Sequence, residues 1–263
     1  MEVLGYGVCR LSVVAVRQAP EHQAPLVTQL LFGDHYEVLN VPDQKYWIYI
    51  RMHFDKMEGW IDATQHHGIT QEYFEQINHA NFKITTDLTC NILYKKSPLT
   101  ILIGSIVPIS NSELFKMEEQ FAFNGEAKSL GQKREVEFLK TIAMKYLNAP
   151  ALAGGRTPFG IDGSGLVQMV YKITGYTLPR QAKQLLQAGE EVPWQEAQPG
   201  DIVLWTDDTV ELQAGILLDD HKLIIVNGQV RIDPLEERIT INPDSQPKVK
   251  RILNPQSRNL ITT

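Results

Sequence analysis

The sequence predicts an α+β protein, on three observations: short strand-like runs fill the first half, an amphipathic helix begins near Val136, and short apolar runs return after Pro199-Gly200-Asp201. In residues 1–64 the runs Leu11–Val16, Val27–Phe32, Tyr36–Leu39, Tyr46–Met52 and Gly59–Ile61 are separated by turn clusters such as Asn40-Val41-Pro42-Asp43. Short strands at that spacing suit a small barrel. Residues 65–132 repeat the theme: a polar helix-like stretch at Gln71–Asn78 precedes strand-like runs at Asn91–Tyr94, Thr100–Pro108 and Gln120–Phe123, with Ser97-Pro98 and Asn124-Gly125 as turn signals. A second small β domain is expected there.

The pattern changes at Lys133. Val136, Leu139, Ala143 and Tyr146 recur at helical spacing, and Asn148-Ala149-Pro150 ends the segment. A glycine-rich loop, Gly154 to Gly160, leads to a second helix expected over Ser164–Thr174, with Asp162 as its N-cap and Gly175 as its stop. Strands are expected at Ile202–Trp205, Ala214–Leu218, Leu223–Val226 and near Lys248–Ile252. Helices packed on an antiparallel sheet complete residues 133–263.

Composition narrows the function classes. The net charge is −6 and no Lys/Arg run occurs, so a nucleic-acid partner is not expected. Cys9 and Cys90 are too few for a disulfide scaffold and fit a reducing compartment. No segment approaches the ~20 apolar residues of a membrane span. The stretch MEVLGYGVCRLSVVAV lacks a basic start and a cleavage site, so a cytoplasmic location is expected. His66-His67 with His53 and His35 show no carboxylate or Cys at ligand spacing, so neither a metal nor a cofactor is expected. Trp47 and Trp60 are expected in the core.

The run Gly154-Gly155-Arg156-Thr157-Pro158-Phe159-Gly160-Ile161-Asp162-Gly163-Ser164-Gly165-Leu166-Val167-Gln168 resembles the nucleophile segment of NlpC/P60 peptidases. The likeness continues through Leu178-Pro179-Arg180, Gln198 to Val203, Ala214-Gly215-Ile216 and Val230 to Pro234. Gln29 to Asp34 and Glu58-Gly59-Trp60-Ile61 resemble bacterial SH3-like (SH3b) domains. The resemblance implies two SH3b-like barrels, then a papain-like domain, in the order of enzymes that cleave γ-D-glutamyl bonds in murein peptides.

It also implies a helix-borne thiolate, a histidine base and a polar residue that orients the base. Those positions are Gly163, Gln213 and Ile225 here. Ala151 and Ala153 stand where the family has aromatics, which implies a wider pocket, and Gln181 stands where an Asp would hold a free amino terminus. Between Lys133 and Thr263 there is no Cys and His221 is the sole His, placed in a turn-like Asp219-Asp220-His221-Lys222.

The expectation is therefore a catalytically inactive homologue whose cleft, marked by Asp162, Ser164, Arg180 and Gln181, binds a murein peptide, another peptide or a protein partner. Two alternatives stand beside it: an active hydrolase with a non-standard nucleophile such as Ser164, or a structural scaffold. Ser164 lies one position beyond the vacant site, ~100° around the helix, and reads most simply as a first-turn serine bonded to backbone groups.

Overall fold

The computed structural model describes residues 2–42, 46–79, 82–107, 121–206, 211–235 and 247–253. The chain divides into two compact units, Met1–Gln132 and Lys133–Thr263.

In the first unit, β1 (Gly5–Val8), β2 (Val13–Arg17), β3 (Leu26–Leu31), β4 (His35–Asn40), β5 (Trp47–Met52), β6 (Glu58–Asp62) and β7 (Gly68–Ile69) form a seven-stranded sheet ordered β3-β2-β6-β5-β4-β1-β7. Alternation along β2 and β5 sends Val14, Val16, Ile48, Ile50 and Met52 to a core shared with Leu30, Tyr36 and Ile61. Trp47 and Trp60 lie on the opposite face of that alternation and are half-buried, so the expectation of core tryptophans is corrected. Trp47 instead meets His22, with ring centroids 5.0 Å apart, and Trp60 meets Tyr49 at 5.0 Å.

Helix α1 (Gln71–His79) follows, then β8 (Lys83–Thr85), β9 (Thr89–Tyr94), β10 (Ser97–Leu102), β11 (Ile106–Val107), β12 (Phe121–Asn124) and β13 (Ala127–Ser129). They make two three-stranded sheets, β10-β9-β12 and β11-β8-β13. The ends of two expected strands, at Pro108 and Gln120, and the Asp43 of the turn cluster lie outside the described residues.

The second unit opens with α2 (Val136–Lys145), whose Leu139, Ile142 and Ala143 face inward. The hairpin β14 (Arg156–Thr157) and β15 (Gly160–Ile161) runs directly into α3 (Gly163–Thr174). Asp162 caps α3 by accepting a hydrogen bond from Gly165 N. Gly175 ends it at φ +99°, with Gly175 N donating to Lys172 O and Tyr176 N to Tyr171 O. Those two bonds make a Schellman motif, which requires a residue tolerant of positive φ. Every residue from Gly165 to Thr174 is buried, so α3 is a core helix.

After α4 (Ala182–Leu185), β16 (Glu190–Val192), β17 (Ile202–Thr206), β18 (Leu212–Leu218), β19 (Lys222–Asn227), β20 (Gln229–Pro234) and β21 (Lys248–Arg251) form a six-stranded antiparallel sheet ordered β16-β21-β17-β18-β19-β20. Helix α3 packs on β18 and β19. The layout is α+β, with SH3-like strands ahead of a helix-on-sheet domain. No helix among the described residues is long and apolar enough to cross a membrane.

Candidate functional site

The site lies where the glycine-rich hairpin meets the first turn of α3. The two are held close by the absence of side chains: a Cβ on Gly165 would sit 2.4 Å from Gly155 O. That contact lets the hairpin backbone point its polar groups at Asp162. Gly154 N donates to Asp162 Oδ2 at 2.8 Å, and Gly165 N to Oδ1 at 2.7 Å.

Arg180 completes the cluster from a loop 18 residues away in sequence. Its Nη1 and Nη2 each donate to one Asp162 oxygen at 2.8 Å, a two-pronged pairing that fixes both groups. Nη2 also donates to Gly155 O at 3.1 Å, and Nη1 to Ser164 Oγ at 2.9 Å. Ser164 in turn donates to Asp162 Oδ1 at 3.3 Å. The Arg180 side chain is 3% exposed and that of Asp162 28%, so water reaches this ion pair from the carboxylate side. Ser164 is thus bonded to two charged side chains, which corrects the expectation of a serine serving backbone groups.

The position read as nucleophile lies beside the residue that follows the position read as base. A Cβ on Gly163 would lie 2.9 Å from Ala214 O, immediately after Gln213 on β18. Next along the strand, a Cβ on Gly215 would lie 2.9 Å from Ile225 Cγ2. Gln213 is half-buried and pairs in register with Trp205. Ile225 belongs to the apolar cluster of Val203, Trp205, Leu217, Leu223 and Leu235. Gln181 heads α4 and is exposed; Ala151 and Ala153 are also exposed. His221 lies at a positive-φ turn between β18 and β19 and is exposed.

Sequence reasoning named Asp162, Ser164 and Arg180 but not their mutual bonding, nor the parts played by Gly154 N and Gly155 O. The buried fork of Arg180 on Asp162 leaves no periodic signal; a basic residue after a Leu-Pro pair is its only trace. The thiols offer no substitute nucleophile. Burial pushes Cys9 up to about 12 and Cys90 up to about 11, so both are protonated near neutral pH.

Comparison with known proteins agrees with this architecture. Residues 150–246 match the NlpC/P60 family, and residues 16–65 match the bacterial dipeptidyl-peptidase SH3 domain. The chain thus carries a segment similar to the NlpC/P60 family behind a segment similar to a bacterial SH3 domain. It is similar to the γ-D-glutamyl-L-lysine dipeptidyl-peptidase of Bacillus subtilis, 25% identical over 192 residues, which are 68% of this chain and 63% of that protein. It is also similar to dipeptidyl-peptidase 6 of Lysinibacillus sphaericus, 24% identical over 244 residues, 83% of this chain and 88% of that one. An NlpC/P60 family protein from Bacillus cereus shares the fold at a TM-score of 0.80 and 18% identity, covering 95% of this chain and all of that one.

These relatives overturn the expectation of an inactive homologue. Both sequence relatives are named as peptidases, and that points to enzyme activity.

Proposed function

We propose that the chain hydrolyses murein-type peptides at a γ-D-glutamyl bond, using the Asp162–Ser164–Arg180 cluster instead of a thiol. The observation that carries the reading is Ser164 Oγ, which stands at the N-terminus of α3 between Arg180 Nη1 at 2.9 Å and Asp162 Oδ1 at 3.3 Å. Ser164 Oγ attacks the γ-carbonyl carbon, its proton passes toward Asp162, and the guanidinium and helix dipole stabilise negative charge at the site. The C–N bond breaks as the amine of the following residue takes up the proton. Water then hydrolyses the Ser164 ester and frees the γ-carboxylate.

The same geometry limits the rate. Asp162 already accepts bonds from Gly154 N, Gly165 N and both Arg180 nitrogens, which leaves few of its lone pairs open to the Ser164 proton. Turnover slower than that of a thiol peptidase is expected. Gln181 offers a neutral amide in place of a carboxylate, so a free and an N-acetylated amino terminus should be accepted within about threefold of each other.

The proposal extends to setting and organisation. Cys9 and Cys90 are buried free thiols, which suits a reducing compartment, so soluble peptide fragments in the cytoplasm are the intended substrates. Residues 1–64 and 65–132 are taken as two SH3b-like domains ahead of the NlpC/P60 domain at 133–263.

The test is incubation of the full chain with L-Ala-γ-D-Glu-L-Lys and chromatographic assay of released Lys. Release above blank that falls at least tenfold in Ser164→Ala supports the reading. Saturable peptide binding with no release contradicts it.

A further inference from the structure

The β10-β9-β12 sheet turns one face to a core and the other outward. Inward, Cys90, Ile92 and Ile101 pack with Phe32 and Val107. Alternation along the strands turns Asn91 and Leu93 of β9 outward together with Pro98 and Thr100 of β10, and all four are exposed. A cavity of about 290 Å³ opens on this sheet, lined by Asn91, Ile92, Leu93, Pro98, Phe123 and Asn124.

Strand register sorts the outward side chains into two rows. Pro98 is paired with Leu93, which is 43% exposed, and the two make an apolar row. Beside it Thr100 is paired with Asn91, and Asn91 with Asn124 of β12, so a polar row crosses all three strands. Thr100 Oγ1 donates to Asn91 Oδ1 at 3.0 Å, which turns the Asn91 Nδ2 donors away from β10. Asn124 is exposed at the end of β12, and its amide makes no hydrogen bond to another described residue. It offers both a donor and an acceptor.

We propose that this cavity binds one uncharged, N-acetylated sugar ring. Three properties select that chemistry. The volume lies at the foot of the roughly 300–1,000 Å³ range of small-ligand pockets, so it suits a single ring rather than a chain. Among the described residues no charged side chain lines the cavity, so a charged ligand would find no counter-charge there. Strand β9 is paired on both sides, by β10 and β12, so its backbone is closed to an extended peptide that would add as a strand. Recognition falls to the side chains of the two rows.

Those rows match the two sides of such a ring. The apolar row takes its C–H face and the acetyl methyl group. The polar row takes hydroxyl and acetamide groups, with Asn91 Nδ2 donating to an oxygen and Asn124 both donating and accepting. Directly paired residues have Cβ atoms roughly 4.5–5.5 Å apart, so the two amides can engage one ring together. The cavity belongs to the first unit and the Ser164 cluster to the second, so this inference does not rest on the hydrolytic reading.

The experiment is NMR titration of the full chain with N-acetylglucosamine, N-acetylgalactosamine, glucose and N-acetylalanine amide, following the Asn91 and Asn124 side-chain amides and the Leu93 methyl groups. The expected result is saturable shifts of all three residues with at least one N-acetylated sugar at millimolar concentration. Glucose, which lacks the acetyl group, should bind at least threefold more weakly, and Asn124→Ala should weaken the sugar at least threefold. Saturation by neither N-acetylated sugar, or shifts confined to other residues, overturns the site whether or not the variant folds. Tighter binding of N-acetylalanine amide than of either sugar also overturns it, in favour of a peptide ligand.

Discussion

At position 163 the backbone of α3 comes so near β18 that a Cβ would lie 2.9 Å from Ala214 O. Carbonyl oxygens of a paired strand cannot rotate aside, so any side chain there must shift the helix or the strand. Gly163→Ala is expected to cost roughly 1–3 kcal/mol through overpacking, as a lowered urea midpoint at unchanged slope. An unchanged midpoint would mean that β18 yields freely. The substitution Gly163→Cys meets the same obstacle before any question of chemistry arises. The glycine itself is plain in the sequence, but the strand against it is not, because Gly163 and Ala214 are brought together only by the tertiary fold. Trp47 and Trp60 make the converse point: alternation was visible, but which face was buried depended on neighbouring strands.

At the scale of elements, the hairpin, the cap and α3 act as one assembly around Asp162. Removing its carboxylate with Asp162→Ala strips the cap from Gly165 N and leaves Arg180 buried without its counter-charge. A loss of about 3 kcal/mol is expected, the lower end of the cost of breaking a buried pair because one partner is part-exposed. Asp162→Ala combined with Arg180→Met should recover part of that loss, since the stranded charge is then gone. Equal destabilisation in single and double variants would show that the ion pair adds nothing beyond the cap. Helices α2 and α3 were legible because each has a helical period or a matched Asp cap and Gly stop. Strands β1, β8, β13 and β16 and helix α4 span three or four residues each, too few for a period to show.

At the scale of the molecule, fold class and function parted company in how far the sequence could carry them. The order of SH3-like strands followed by a helix-on-sheet domain was readable from patterning and from the run around Asp162. The absence of a thiol at Gly163 was equally readable, yet the inference of inactivity drawn from it is overturned by relatives named as peptidases over 68% and 83% of the chain. What one residue type could not disclose was the cluster next to it, assembled from the hairpin, the cap and a distant arginine. The central claim is that Ser164 carries the acyl group of a γ-D-glutamyl peptide. The most direct measurement is intact-protein and peptide mass spectrometry of the full chain after reaction with an L-Ala-γ-D-Glu γ-(4-nitrophenyl) ester. The account predicts an added acyl mass on the peptide containing Ser164, at one equivalent, and absent in Ser164→Ala. An adduct on any other residue, or an unmodified chain that releases no 4-nitrophenolate above blank, would contradict it.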